Sequence, residues 1–136
     1  MRQALADTGR SKPVHSVVPF APGGSGDSTA RLVGKYMEDK TGQPFVIENK
    51  PGAGGNLGTE VVCRAPADGY TLIVNSVGPM AVNPTLYKNL ACNPLTALVP
   101  VAQISDVPNV LLVPASLQMK TMAEFLTYAR TSQGTL

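Results

Sequence analysis

The stretch His15-Ser16-Val17-Val18-Pro19-Phe20-Ala21-Pro22-Gly23-Gly24-Ser25-Gly26-Asp27-Ser28 decides the fold. Its apolar opening reads as a short strand and its glycines as a tight turn. The residues that follow read as a helix, because Ala30, Val33 and Met37, with Leu32 and Tyr36, recur at three- and four-residue spacing. Ser25 or Asp27 is placed to cap that helix, and Gly42 followed by Pro44 stops it. A strand feeding a glycine turn that opens a helix points backbone N–H groups at whatever sits above the sheet edge, usually an anion.

The same unit returns downstream. Pro44 to Glu48 reads as a second strand, Pro51-Gly52-Ala53-Gly54-Gly55-Asn56-Leu57-Gly58 as a second glycine turn, and Leu57 to Ala65 as a short helix capped by Asn56. Tyr70 to Asn75 is a third strand, with Ser76-Val77-Gly78-Pro79 as the loop at its C-terminal end. Strand, turn and helix in series predict an α/β fold, a parallel sheet of βα units joined by right-handed crossovers. Beyond it, Asn83-Pro84 predicts a helix through Leu90, and Cys92 to Leu98 reads as loop. Val99 to Ile104 and Asn109 to Pro114 read as further strands. Thr121-Met122-Ala123-Glu124 fits a capping box, opening a last helix that ends near Gly134 with Met122, Phe125, Leu126 and Ala129 on its apolar face.

Composition narrows the function classes. A chain of 136 residues with 43% hydrophobic and 15% charged residues suits one globular domain with a modest core. The formal charge of +2 comes from scattered Lys and Arg, and with no Trp and few aromatics there is no footprint for nucleic acid. Apolar runs such as Val110-Leu111-Leu112-Val113 are far shorter than the roughly 20 residues of a membrane span. Met1 to Val14 carries Arg2, Asp7, Arg10 and Lys12 and lacks the apolar core of a secretory signal, so the chain as written would remain cytoplasmic. Cys63 and Cys92 have neither CxxC spacing nor nearby His, which argues against zinc, and they read as separate buried or incidental thiols rather than as a bridge.

The chemistry of the turns is binding rather than catalysis. Neither turn supplies the Lys of a phosphate-binding G-x-x-x-x-G-K-[ST] loop. Gly24 and Gly26 have dinucleotide spacing, and Glu48 lies where a ribose-binding acid belongs. Against that, the third glycine is replaced by Thr29, and Asp27 puts a carboxylate where the pyrophosphate should sit. A nucleophile elbow around Ser25 fails at Asp27, and the only histidine, His15, lies at the wrong end of the first strand to serve as a base. No set of His, Asp or Glu has metal-ligand spacing, so neither metal nor cofactor is expected. What remains is a donor-rich rim: the N–H groups after Gly26 and Gly55, with the hydroxyls of Ser25, Ser28 and Ser76. Asp27 would repel an acid there unless it turns back onto its own helix or takes a proton donor of the ligand. The bland reading is that the glycines serve only tight turns and close helix–sheet packing.

These motifs, in order, carry a resemblance. Val17 to Ser25 with Asp27, then Glu48-Asn49-Lys50-Pro51-Gly52-Ala53-Gly54-Gly55-Asn56-Leu57-Gly58, Ala67 to Leu72, Asn83 to Tyr87 and Val107 to Leu111, resemble the substrate-binding proteins of tripartite tricarboxylate transporters, the Bug family of extracytoplasmic solute receptors. The similarity runs from about Pro13 to Leu136. It implies a non-enzymatic periplasmic receptor with two α/β lobes, resembling a type II-like binding protein, that closes on a small carboxylate and delivers it to a permease of one large and one small subunit.

Carried over by position, the resemblance implies ligand contacts from Pro22, Gly23, Gly24, Ser25, Gly26, Asp27 and Ser28, and from Ser76, Val77 and Gly78. It implies a supporting role for the turn of Gly52, Gly54, Gly55, Asn56 and Gly58. The segment Cys92-Asn93-Pro94 with Thr96-Ala97-Leu98 departs from the family pattern. By the same resemblance, residues 1–13 are a polar tail, 14–104 a first lobe without its returning segment, and 105–136 a crossover and the start of a second lobe. Family members are more than twice this long, so the expectation is a truncated chain that binds weakly or not at all. The competing expectations are a dinucleotide-binding enzyme domain and a non-functional remnant.

Overall fold

The structure, a computed structural model, describes residues 12–132. The chain divides into two compact units, Met1–Pro100 and Val101–Leu136. In the first, strands β1 (Val14–Val18), β2 (Phe45–Asn49) and β3 (Thr71–Ile73) form a parallel sheet in the order β2-β1-β3. Helix α1 (Ser25–Thr41) joins β1 to β2, and α2 (Asn56–Cys63) joins β2 to β3. β1 pairs from Val14↔Phe45 to Val18↔Asn49 on one side and from His15↔Thr71 to Val17↔Ile73 on the other. With a neighbour along each edge and helices packed on the sheet, β1 buries every residue except His15, which is why it is Val-rich. Val14, Val17 and Val18 are almost wholly buried, each contributing about 1.5–3 kcal/mol relative to exposure.

That strand order has a consequence for function. The chain steps from β1 to β2 in one direction and then back past β1 to β3. Right-handed crossovers running in opposite directions put α1 and α2 on opposite faces. The crevice between the C-terminal ends of β1 and β3 is therefore the point where the winding reverses, the place where open α/β sheets bind their ligands.

Helix α1 packs through Ala30 and Gly34, while Leu32 and Tyr36, although part of the expected repeat, are 74% and 61% exposed. A Cβ on Gly34 would lie 3.1 Å from Ile47 Cδ1, so the glycine lets the helix close onto β2. Gly42, in the left-handed conformation at φ 70°, ends the helix as expected.

Several sequence expectations are corrected. Cys63 and Cys92 form a disulfide. Spacing in sequence carries no information on whether two Cα atoms approach, and here the fold returns Cys92 to within 6.4 Å of the end of α2. The helix expected from Asn83 to Leu90 is only α3 (Asn83–Leu86), preceded by a π turn at Gly78–Val82, and the Cys92–Leu98 loop contains the short helix α4 (Pro94–Ala97) capped by Asn93. Tyr87 is already extended.

Val99–Ile104 and Asn109–Pro114 form no strand. Their apolar pattern suits a strand, but a strand exists only through a partner's N–H and C=O groups. None among the described residues pairs with these runs, and Val99, Val101, Val110 and Leu112 stay exposed. The second unit contains a 3-10 turn at Ala115–Leu117 and α5 (Met122–Thr131). The capping box is present, with Glu124 N–H donating to Thr121 Oγ1 and Thr121 N–H donating to Glu124. Met122 and Leu126 on the apolar face remain 58% and 45% exposed. The expected end of this helix near Gly134 lies outside the described residues.

Candidate functional site at the sheet switch point

The first glycine turn and the first turn of α1 form one side of the β1/β3 crevice. Neither Ser25 nor Asp27 caps the helix, as the sequence had suggested. Gly24 is the N-cap, extended at φ −76° and ψ 172°, and no side chain accepts from the helix there. A glycine cap without a side chain leaves the first-turn donors open. Among the described residues, the N–H groups of Ser25, Gly26 and Asp27 have no acceptor, whereas Ser28 N–H already donates to Gly24 O at 3.0 Å. Pro22 to Ser25 and Ser28 are exposed and Gly26 is half-buried.

Asp27 resolves the difficulty its charge raised. Its side chain is 4% exposed and turns back. Oδ2 accepts from Gly23 N–H at 2.9 Å and from Arg31 Nε at 3.1 Å, and Oδ1 accepts from Asn49 Nδ2 at 3.0 Å. The Arg31 hydrogen bond, then those from Gly23 and Asn49, lower its pKa from 3.8 to about 2. Asn49 also donates to Phe20 O at 3.1 Å and accepts from Arg31 Nη2 at 3.1 Å, so the loop after β1 is pinned to the end of β2. The carboxylate is satisfied internally and compensated by Arg31, so it shapes the turn rather than opposing an anion above it.

The third loop forms the other side. Ser76 and Val77 are exposed and Gly78 is half-buried. Ser76 N–H is taken by Asn75 Oδ1 at 2.9 Å and Ser76 O accepts from Met80 N–H at 3.3 Å. Among the described residues, the Ser76 hydroxyl and the N–H groups of Val77 and Gly78 are left without a partner.

The Gly52–Gly58 turn lies against both. Gly55, left-handed at φ 91°, is the N-cap of α2; Asn56, expected to cap, is instead the first helical residue and accepts from Asn83 Nδ2 at 2.6 Å. A Cβ on Gly55 would strike Pro79 and come within 3.6 Å of Phe20 Cε1, and one on Gly58 would lie 2.8 Å from both Lys50 O and Pro19 Cβ. These two glycines therefore bring the turn into contact with the loops after β1 and β3. A small, partly open pocket of about 20 Å³ beside it, lined by Asn56, Thr59, Pro79 and Cys92 among others, has room for a single water and not for an organic ligand.

The residues of the competing readings lie elsewhere. His15 Nδ1–H donates to Glu48 Oε1 at 2.6 Å between exposed side chains, and Lys50 Nζ lies 3.3 Å from Glu48 Oε2. These hydrogen bonds, His15 first and Lys50 second, hold the Glu48 pKa below its usual value. The acid that a ribose would need is thus already engaged. Among the described residues, no three of His, Cys, Asp and Glu cluster in a way that could hold a metal ion.

A parallel α/β lobe with backbone and hydroxyl donors gathered at its switch point is suited to holding a ligand. Residues 29–136 match the family described as the tripartite tricarboxylate transporter family receptor, and the chain belongs to that family. It is 38% identical over 130 residues to protein BugT of Bordetella pertussis, covering 95% of this chain and 40% of BugT. Among solved structures it resembles R. palustris Rpa4515 with adipate (TM-score 0.79, 40% identity, 89% of this chain and 40% of that one). It also resembles MatC from Rhodopseudomonas palustris with bound malate (TM-score 0.78, 38% identity, 90% and 42%). The chain thus spans about 40% of the length of the relatives it matches. The family is one of receptors, which sets aside the dinucleotide enzyme.

Proposed function

We propose that this chain supplies one wall of a carboxylate-binding cleft, with a small di- or tricarboxylate seated between Pro22–Ser28 and Ser76–Gly78. The observation that carries the reading is the set of open donors at the β1/β3 switch point beside an Asp27 that is already neutralised by Arg31. One helix terminus contributes about 0.3–1 kcal/mol to a bound carboxylate, and each charge-assisted hydrogen bond about 1.5–3 kcal/mol. The malate and adipate in the two similar structures fit the same ligand class.

The Gly52, Gly54, Gly55, Asn56 and Gly58 turn supports these loops without meeting ligand. Residues 14–104 act as the ligand-binding lobe, and residues 105–136 as a crossover and the start of a second lobe. Residues 22–28 and 76–78 hold only part of the ligand surface, so the chain by itself binds in the millimolar range. Contacts worth about 4 kcal/mol separate millimolar from micromolar binding. Delivery to a two-subunit permease from the periplasm completes the role, and the Cys63–Cys92 bridge accords with an oxidising compartment.

The test is a titration of the 15N-labelled chain with malate, adipate and citrate, with glycerol and NAD as controls. Shifts confined to Ser25, Gly26, Val77 and Gly78 with millimolar saturation are expected for the acids alone. Micromolar affinity would refute the partial-wall reading, and saturation by NAD or silence towards every acid would refute the carboxylate site.

A further inference from the structure

The third loop is held by a chain of hydrogen bonds that starts in the second glycine turn. Thr59 Oγ1–H donates to Gly55 O at 2.8 Å, Asn75 Nδ2–H donates to Thr59 Oγ1 at 3.0 Å, and Ser76 N–H donates to Asn75 Oδ1 at 2.9 Å. Thr59 is 4% exposed, and a buried hydroxyl that both donates and accepts has a fixed orientation. A second link runs beside it: Asn83, 6% exposed, donates to Gly54 O at 3.2 Å and to Asn56 Oδ1 at 2.6 Å, at the far end of the π turn that follows Ser76. Between the two links, Pro79 is packed on Gly55.

We propose that Asn75 and Thr59 are positioning residues: they fix the Ser76–Gly78 loop to the Gly55 turn and decide which of its donors face a ligand. With its N–H committed to Asn75, Ser76 offers only its hydroxyl, and the N–H groups of Val77 and Gly78 become the backbone donors of that wall. The Gly-rich turn is then a template for the loop, acting through Thr59. This assignment rests on the carboxylate reading only for its effect on binding; the loop geometry itself can be tested without a ligand.

The experiment compares Asn75→Ala, Asn75→Asp, Thr59→Val and Thr59→Ser in the full chain by amide hydrogen exchange at Ser76, followed by titration with malate. Losing one such hydrogen bond is expected to speed exchange of the Ser76 amide by about tenfold in Asn75→Ala and to weaken malate binding about 3- to 10-fold. Asn75→Asp keeps an acceptor for Ser76 but loses the Nδ2–H that donates to Thr59, so its Ser76 amide should exchange faster, as in Thr59→Val. Thr59→Ser should resemble the parent, while Thr59→Val should not. Unchanged Ser76 exchange in Asn75→Ala, or equal damage from Thr59→Ser and Thr59→Val, would overturn the assignment. If Thr59→Val does not fold, the two Asn75 variants decide it. If the parent chain ignores malate, the carboxylate reading fails, and the exchange data still decide whether Asn75 and Thr59 hold the loop.

Discussion

Replacing both Cys63 and Cys92 with Ser should destabilise the first unit by an amount set mainly by the loop that the bridge closes. The two residues are 29 apart in sequence, and that loop contains β3, the Ser76 loop, the π turn, α3 and the return to α2. The chain-entropy relation gives about 12 cal/mol/K for a loop of this size, or roughly 3.6 kcal/mol at 25 °C. Unfolding entropy near 2.1 cal/mol/K per residue, over about 90 residues, converts this to a fall in Tm of roughly 15–20 °C. Calorimetric melts of the parent and the double Ser variant, with the parent repeated in a dithiol reductant, provide the measurement. The two losses should agree, because both act on the same cross-link. A fall of less than about 5 °C in both would refute the reasoning, since it would mean that α2 and the segment around Cys92 are held together equally well by packing alone.

Three further outcomes follow from named contacts. Asp27 has a folded pKa of about 2, below its ordinary 3.8, so the stability it contributes is fully present above about pH 4 and is lost as pH falls towards 2. Melts from pH 6 to 2 should show the parent losing more than Asp27→Asn over that window, and parallel curves would refute the linkage. Gly58→Ala should cost about 1–3 kcal/mol, because its Cβ would meet backbone at Lys50 O and the ring of Pro19 rather than a movable side-chain tip; a urea midpoint equal to the parent's would count against it. Thr121→Ala removes one half of the capping box and should cost α5 about 0.5–2 kcal/mol of local stability, seen as faster exchange of the Glu124 amide with the first unit unaffected.

Much of the fold was legible from local pattern. The strands β1, β2 and β3 and the helices α1 and α2 fall close to where apolar periodicity and turn residues put them, and α5 opens at its capping box, because each signal is carried by residues within one element. What failed was non-local. The caps of α1 and α2 went to Gly24 and Gly55, and Asn56 was claimed by Asn83, which is 27 residues away. The bridge at Cys92 and the missing pairing of Val99–Ile104 likewise depend on what comes near in space. Of the residues shaping the site, Arg31 was the most readable, lying at i+4 from Asp27 on one helix face. Asn49, Thr59 and Asn75 gave no local signal, since their roles exist only once β1 lies between β2 and β3.

The strand order also explains why an acid can stand at the mouth of an anion site. In a fold where β1 and β2 were not neighbours, Asp27 would have only its own helix to turn to. With β2 beside β1, Lys50 N–H bonds to Val18 O at 2.8 Å and the register brings Asn49 level with Val18, so its amide reaches both Phe20 O and Asp27. The carboxylate is then enclosed by Gly23 N–H, Arg31 and Asn49, and holds the turn in the shape that leaves the N–H groups of Ser25 and Gly26 open. On the other flank Asn75, two residues past the end of β3, performs the matching task on Ser76. Two strands that share β1 as neighbour are thus each closed by an Asn, Asn49 as the last residue of β2 and Asn75 two residues past β3, that disciplines the adjoining loop. The open donors at the switch point follow from that arrangement more than from the glycines alone.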